Sequence, residues 1–111
     1  MAKRIKLKFY DKEYIIEYAN RSEVKEYFAE LGKVKDDNSI ENGIKALTIL
    51  LKAGLVEHHK EEMPTDEELG RWATSIPNTK KFFETLMSMV QEVVNAIDND
   101  TKNLNWEVEE V

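Results

Sequence analysis

The stretch Ile5-Lys6-Leu7-Lys8-Phe9-Tyr10-Asp11-Lys12-Glu13-Tyr14-Ile15-Ile16-Glu17-Tyr18 decides how the rest of the chain must be arranged. Ile5, Leu7 and Phe9 alternate with Lys6 and Lys8, and Tyr14, Ile16 and Tyr18 alternate with Ile15 and Glu17. A period of two is the pattern of strands with one buried face, so the sequence predicts an antiparallel hairpin over residues 4–18. With Asp11-Lys12 as the turn, Phe9 faces Tyr14, Leu7 faces Ile16 and Ile5 faces Tyr18. On the opposite face Lys6 meets Glu17, an attractive cross-strand pair. The turn is the awkward part, because a type I′ turn favours Asn-Gly or Asp-Gly and Lys12 resists positive φ. A two-stranded sheet is marginal in water, so its apolar face needs a cover and its two edges need partners.

The cover must come from the residues after Tyr18, where the period changes from two to that of a helix. Val24, Tyr27, Phe28 and Leu31 form a stripe over residues 21–31, with Asn20 and Glu23 as a capping box and Gly32 as the stop. After a polar loop, Asn38 or Ser39 starts a second helix over 39–56. Its stripe of Ile40, Ile44, Leu47, Leu51 and Leu55 makes it the expected central core helix. Gly43 and Gly54 within it mark candidate close approaches, since glycine otherwise costs about 1 kcal/mol in a helix interior. His58 to Pro64 reads as a charged linker. Thr65-Asp66-Glu67-Glu68 opens a third helix over 66–76 with a capping box and acids in its first turn. Pro77 helps to end it and Asn78 can cap a fourth, over 79–97. Phe82, Phe83, Leu86, Met87, Val90, Val93, Val94 and Ile97 form the stripe of that helix, with Met89 expected to be the more exposed methionine. Periodicity stops after Ile97, leaving residues 98–111 as an acidic, largely unfolded tail. The predicted class is therefore α+β, mostly helical, with one domain over 1–97.

A chain of 111 residues has room for one modest core. It contains no cysteine, which rules out disulfides, thiolate metal sites and thiol chemistry. No run of eighteen apolar residues exists, and the first residues lack the apolar segment of a signal peptide, so a cytoplasmic protein without membrane association is expected. The net charge of −6 disfavours nucleic acid as a partner. Charge is distributed unevenly. Residues 1–18 hold five bases against three acids, and residues 98–111 hold five acids against Lys102. That bipolarity makes self-association conceivable.

Catalytic chemistry finds little support. His58-His59 beside Glu57, Glu61 and Glu62 is the one metal-like cluster. Adjacent histidines on a helix point to different sides, whereas a zinc helix needs two histidines four apart. Ser22, Ser39, Ser75 and Ser88 lie in no nucleophile motif, and Ser22 and Ser39 sit near helix starts. Four glycines form no phosphate loop, and the acids from Glu57 to Glu68 read as solvated faces. No catalytic residue, cofactor or metal is therefore expected. A helix-turn-helix reading of the third and fourth helices would put that acidic region against phosphates. Trp106 stands out: flanked by Leu104 and Val108, it alternates like a strand and suits addition to an open sheet edge, in cis or in trans. Leu104, Trp106 and Val108, with Lys6 and Lys8 on the hairpin, are the candidate partner-binding residues.

The segment Ile5–Tyr14, the run Gly43-Ile44-Lys45-Ala46-Leu47-Thr48-Ile49-Leu50-Leu51-Lys52-Ala53-Gly54-Leu55 followed by His58-His59, and the last helix leading to Asn105-Trp106-Glu107 together resemble the small tail assembly chaperones of long-tailed phages and prophages of Gram-positive bacteria. The likeness covers nearly the whole chain in layout and short apolar strings, without any catalytic signature. It implies a non-enzymatic protein that binds the tape-measure protein and the tail-tube protein in the host cytoplasm during tail morphogenesis, and that is absent from the mature virion. In many members of that group a frameshift yields a longer product. The alternative is a small protein-sequestering regulator of a phage or prophage, of anti-repressor or antitoxin type.

Overall fold

The fold was obtained as a computed structural model describing residues 3–35, 37, 39–103 and 107–109, with the backbone alone described for 97–103. It is α+β and mostly helical. Strands β1 (Ile5–Phe9) and β2 (Lys12–Ile16) form an antiparallel hairpin, followed by helices α1 (Ser22–Gly32), α2 (Ile40–His59), α3 (Asp66–Ser75) and α4 (Thr79–Asn103).

The hairpin forms with the faces expected from its alternation but in a different register. Ile5 pairs with Ile16, Leu7 with Tyr14 and Phe9 with Lys12, while Lys6 lies opposite Ile15 and Lys8 opposite Glu13. The turn is Tyr10-Asp11, one residue earlier than the sequence suggested. Tyr10 takes φ 55 and Asp11 does not have positive φ, the sign pattern of a II′ rather than a I′ turn. Shifting the pairing by two residues preserves which side chains face the core. Lys6 consequently reaches Glu13, at 3.9 Å, and Glu17 is left to pair with Arg4, whose Nε donates to it at 2.9 Å.

β2 docks through its outer edge on the C-terminal half of α2. The Glu17 N–H donates to the Gly54 carbonyl at 2.9 Å, and the Ile15 N–H donates to Nε2 of His59 at 2.9 Å. Gly54 permits the approach: a Cβ there would collide with Cγ2 of Ile16 and lie 3.3 Å from the Tyr18 ring. The fully buried Ile16 and the nearly buried Tyr18 then pack into α2, and the Tyr18 hydroxyl donates to the Leu50 carbonyl at 2.8 Å. Burial pushes that phenol up from its ordinary pKa, so it stays a neutral donor. From α3, Trp72 slides beneath the hairpin, with its ring 4.7 Å from that of Tyr14 and 5.3 Å from that of Phe9. Leu50, Leu51, Leu55, Leu69 and Leu86, all fully buried, complete the centre.

Helix ends depart from expectation in several places. Arg21, not Asn20, is the N-cap of α1, and no side chain caps it. Glu23 pairs instead with Lys60 at 2.9 Å. Gly32 remains inside α1 without positive φ. Ser39 caps α2 by accepting from the Asn42 N–H, and Thr65 caps α3 by accepting from the Glu68 N–H. α2 runs on through His58 and His59, because His59 gains a partner on β2. Asn78 sits at φ 54 and supplies the first carbonyl of α4, to Phe82. α4 continues six residues beyond Ile97, through the stretch read as a linker. Within it the two methionines exchange places: Met89 is buried and Met87 is exposed. Of the tail, Glu107–Glu109 are exposed and without regular structure.

The two glycines of α2 should respond in opposite directions. Gly54→Ala is expected to lower unfolding free energy by about 1–3 kcal/mol through overpacking against Ile16 and Tyr18. Gly43→Ala meets nothing within 4 Å and should raise it by about 0.5–1 kcal/mol. Urea midpoints of the two variants check this.

Candidate protein-binding surface

Hydrogen bonding on the hairpin defines an inner and an outer edge. Because the Ile15 and Glu17 N–H groups point to α2, the Lys6–Ile15 and Lys8–Glu13 pairs are those without mutual ladder bonds. The main-chain donors and acceptors of Lys6 and Lys8 therefore face away from β2. Among the described residues, no hydrogen bond reaches them. Their side chains are exposed on β1. This places two of the five candidate contact residues on one open strand edge. Val108 is 78% exposed. Leu104 and Trp106 lie outside the described residues.

A second surface was not foreseen. An open groove of about 750 Å³ runs between the first turns of α2 and the first turns of α4, with residues at the ends of α1 and α3 also lining it. Leu31, Ile40, Ile44, Leu47, Phe83 and Met87 give it an apolar floor, and Lys35 and Lys80 stand in its lining. α2 has 20 residues and α3 only 10, and the end of α3, at Ala73 and Thr74, joins the groove's lining. All buried residues of α2 fall between Leu47 and Val56. Ile40, read as the start of the core stripe, is instead 83% exposed. In the sequence a continuous apolar stripe along α2 concealed this surface.

The histidine pair is built into the hairpin dock. Nε2 of His58 lies 2.9 Å from Oε1 of Glu17, whose other oxygen accepts from Arg4. The hydrogen bond from Arg4, reinforced by that from His58, holds the Glu17 carboxyl below the usual carboxylate range. Nε2 of His59 accepts from the Ile15 N–H, so the ring is neutral with its proton on Nδ1. The two rings thus serve different partners, and among the described residues no three metal-ligating side chains converge. Among those residues, too, no helix is long and apolar enough to cross a membrane.

Comparisons with protein families, with curated proteins and with solved structures each found no match.

His59 makes the dock sensitive to pH. Burial, with the His58 charge adding to it and Glu62 opposing, holds the His59 pKa below its ordinary value. The unfolded chain takes up this proton at a higher pH than the folded one. The stability supplied by neutral His59 is therefore complete above about pH 6.5 and is lost as pH falls through the lowered folded-state value. Urea unfolding at pH 7.5 and pH 5 should show that decline, and His59→Gln, which keeps an acceptor but does not titrate, should flatten it.

Proposed function

We propose that this chain is a binding-only assembly chaperone for phage tail proteins, engaging tape-measure and tail-tube proteins before they are incorporated. The observation that carries the reading is the outer edge of β1, where the main chain of Lys6 and Lys8 faces outward. Such an edge captures an extended segment by main-chain hydrogen bonds, with little demand on its sequence. That tolerance suits a protein holding unassembled chains. The exposed lysines favour an acidic or polar strand as the added one. The resemblance of the sequence to tail assembly chaperones, from the hairpin to the acidic end of the chain, points to the particular partners. Binding in this reading needs no nucleotide, metal or covalent step, and it takes place in the host cytoplasm, outside the finished virion.

The test is co-purification of the full-length chain with tape-measure and tail-tube proteins from the same genome. Retention of at least one is expected. Lys6→Pro should abolish it, because proline removes a donor that points away from β2 and leaves the β1–β2 ladder bonds in place. Circular dichroism verifies that the variant folds. If neither tail protein is retained, the reading fails, and stoichiometric capture of a repressor or toxin instead would establish a sequestering regulator.

A further inference from the structure

We infer that the α2/α4 groove receives the C-terminal segment, residues 104–111, of a second copy of this chain, in a reciprocal dimer with antiparallel α4 helices. This contact concerns the chain with itself and does not rest on which foreign protein it binds.

Chemistry matches first. The groove has an apolar floor with Lys35 and Lys80 in its lining. The segment carries Leu104, Trp106 and Val108 interleaved with Glu107, Glu109 and Glu110. Apolar anchors can fill the floor while carboxylates meet the lysines. Val108 and its two neighbouring glutamates are exposed, so they remain available for such a contact.

Reach then keeps the Trp106 anchor out of the groove of its own copy. Sixteen residues of helix separate Met87 from Asn103, about 24 Å at 1.5 Å per residue. Trp106 lies three residues further on, and three extended residues return at most about 10 Å. The Trp106 Cα therefore stays at least about 14 Å from Met87, and about 20 Å from Phe83 deeper in the groove. In an antiparallel pair of α4 helices the situation reverses, because the end of one helix lies beside the start of the other. Each copy has one groove and one C-terminal segment, so a two-fold arrangement satisfies both and closes.

Charge along α4 supports that geometry independently. A helix is stabilised by acids near its N-terminus and bases near its C-terminus. α4 has no acid in its first turn and carries Lys80 and Lys81 there. Toward its end come Asp98 and Asp100, with Lys102 between them and the three glutamates of the final segment. This polarity opposes the helix dipole but is complementary to a second α4 running the other way.

Because the chain lacks cysteine, single cysteines can report the contact. Equimolar Ile40→Cys and Val108→Cys proteins, mixed and oxidised, should form a covalent heterodimer well beyond the twofold excess over each homodimer that random pairing gives. Sedimentation of the unmodified full-length chain should show a concentration-dependent dimer. Ile40→Asp alters a side chain already in water, so it leaves the fold intact, and both it and Trp106→Ala should weaken the dimer about tenfold or more. A monomer at all concentrations overturns the inference, as does a dimer indifferent to both substitutions. Intramolecular closure of an Ile40→Cys/Val108→Cys double variant with no heterodimer in the mixture would assign the segment to its own copy and equally overturn it.

Discussion

The arrangement depends on the contact between the outer edge of β2 and the last turns of α2. A sheet of two strands leaves half its main-chain groups without a sheet partner and does not persist alone. Here a helix takes the place of a third strand. The Gly54 carbonyl and the His59 imidazole accept the two N–H groups that such a strand would have accepted. Both acceptors are available only because position 54 has no side chain, so the strand can approach close enough for Ile16 and Tyr18 to enter the core. The helix carbonyl and the imidazole are spaced by one turn of α2 and a little more, which suits the two-residue repeat of the strand edge.

That contact fixes the placement of the other elements. With β2 bound to the C-terminal half of α2, the inward face of the hairpin is turned to Trp72, and α3 supplies Trp72 and Leu69 to the core. The N-terminal half of α2 reaches the core through Leu47 and Ile44, while its first turn, with Ile40 exposed, lines the groove beside residues of the start of α4. α4 crosses from this region to the hairpin, where Glu92 meets Lys3 at 3.2 Å. The pair is largely exposed and contributes little to stability. Its significance is positional, since it puts the middle of α4 beside the start of β1. One edge of the sheet is consumed internally and the other is left facing outward, so the interior packing and the exposed strand edge have a common cause.

Faces were legible in the sequence and positions along them less so. Alternation in Ile5–Phe9 identifies the buried side chains, yet pairings that differ by two residues bury the same set. Only the turn separates them, and neither Asp11-Lys12 nor Tyr10-Asp11 contains the glycine that would mark it. The helices were visible from their stripes, and the caps of α2 and α3 from Ser39 and Thr65. The ends of α2 and α4 were not, because apolar periodicity ceases before helical hydrogen bonding does. The partner of His59 lies 44 residues away on a strand edge, a relation that no local pattern encodes. Met87 and Met89 differ by about 200° around a helix, and which of them is buried depends on where α4 crosses α2, not on composition. The open strand edge followed from counting strands, whereas the groove required the three-dimensional arrangement of α1, α2, α3 and α4.

The two exposed surfaces offer different chemistry, and the lysines set them apart. A strand edge presents main-chain groups and is nearly blind to sequence, so an unguarded one pairs with its own copy. Pairing two β1 edges would bring Lys6 and Lys8 of one copy against those of the next, and like charges directly opposite are destabilising. The edge is thereby discouraged from self-association while remaining open to a strand of opposite or neutral charge. The groove presents side chains and selects by shape and charge, and its lysines complement the carboxylates at the chain's own C-terminal end. Self-contact through the groove would leave the β1 edge free, since the groove is built from the helices and uses no residue of the hairpin. The proposed self-contact and the proposed capture of a foreign strand would therefore draw on different residues of the chain.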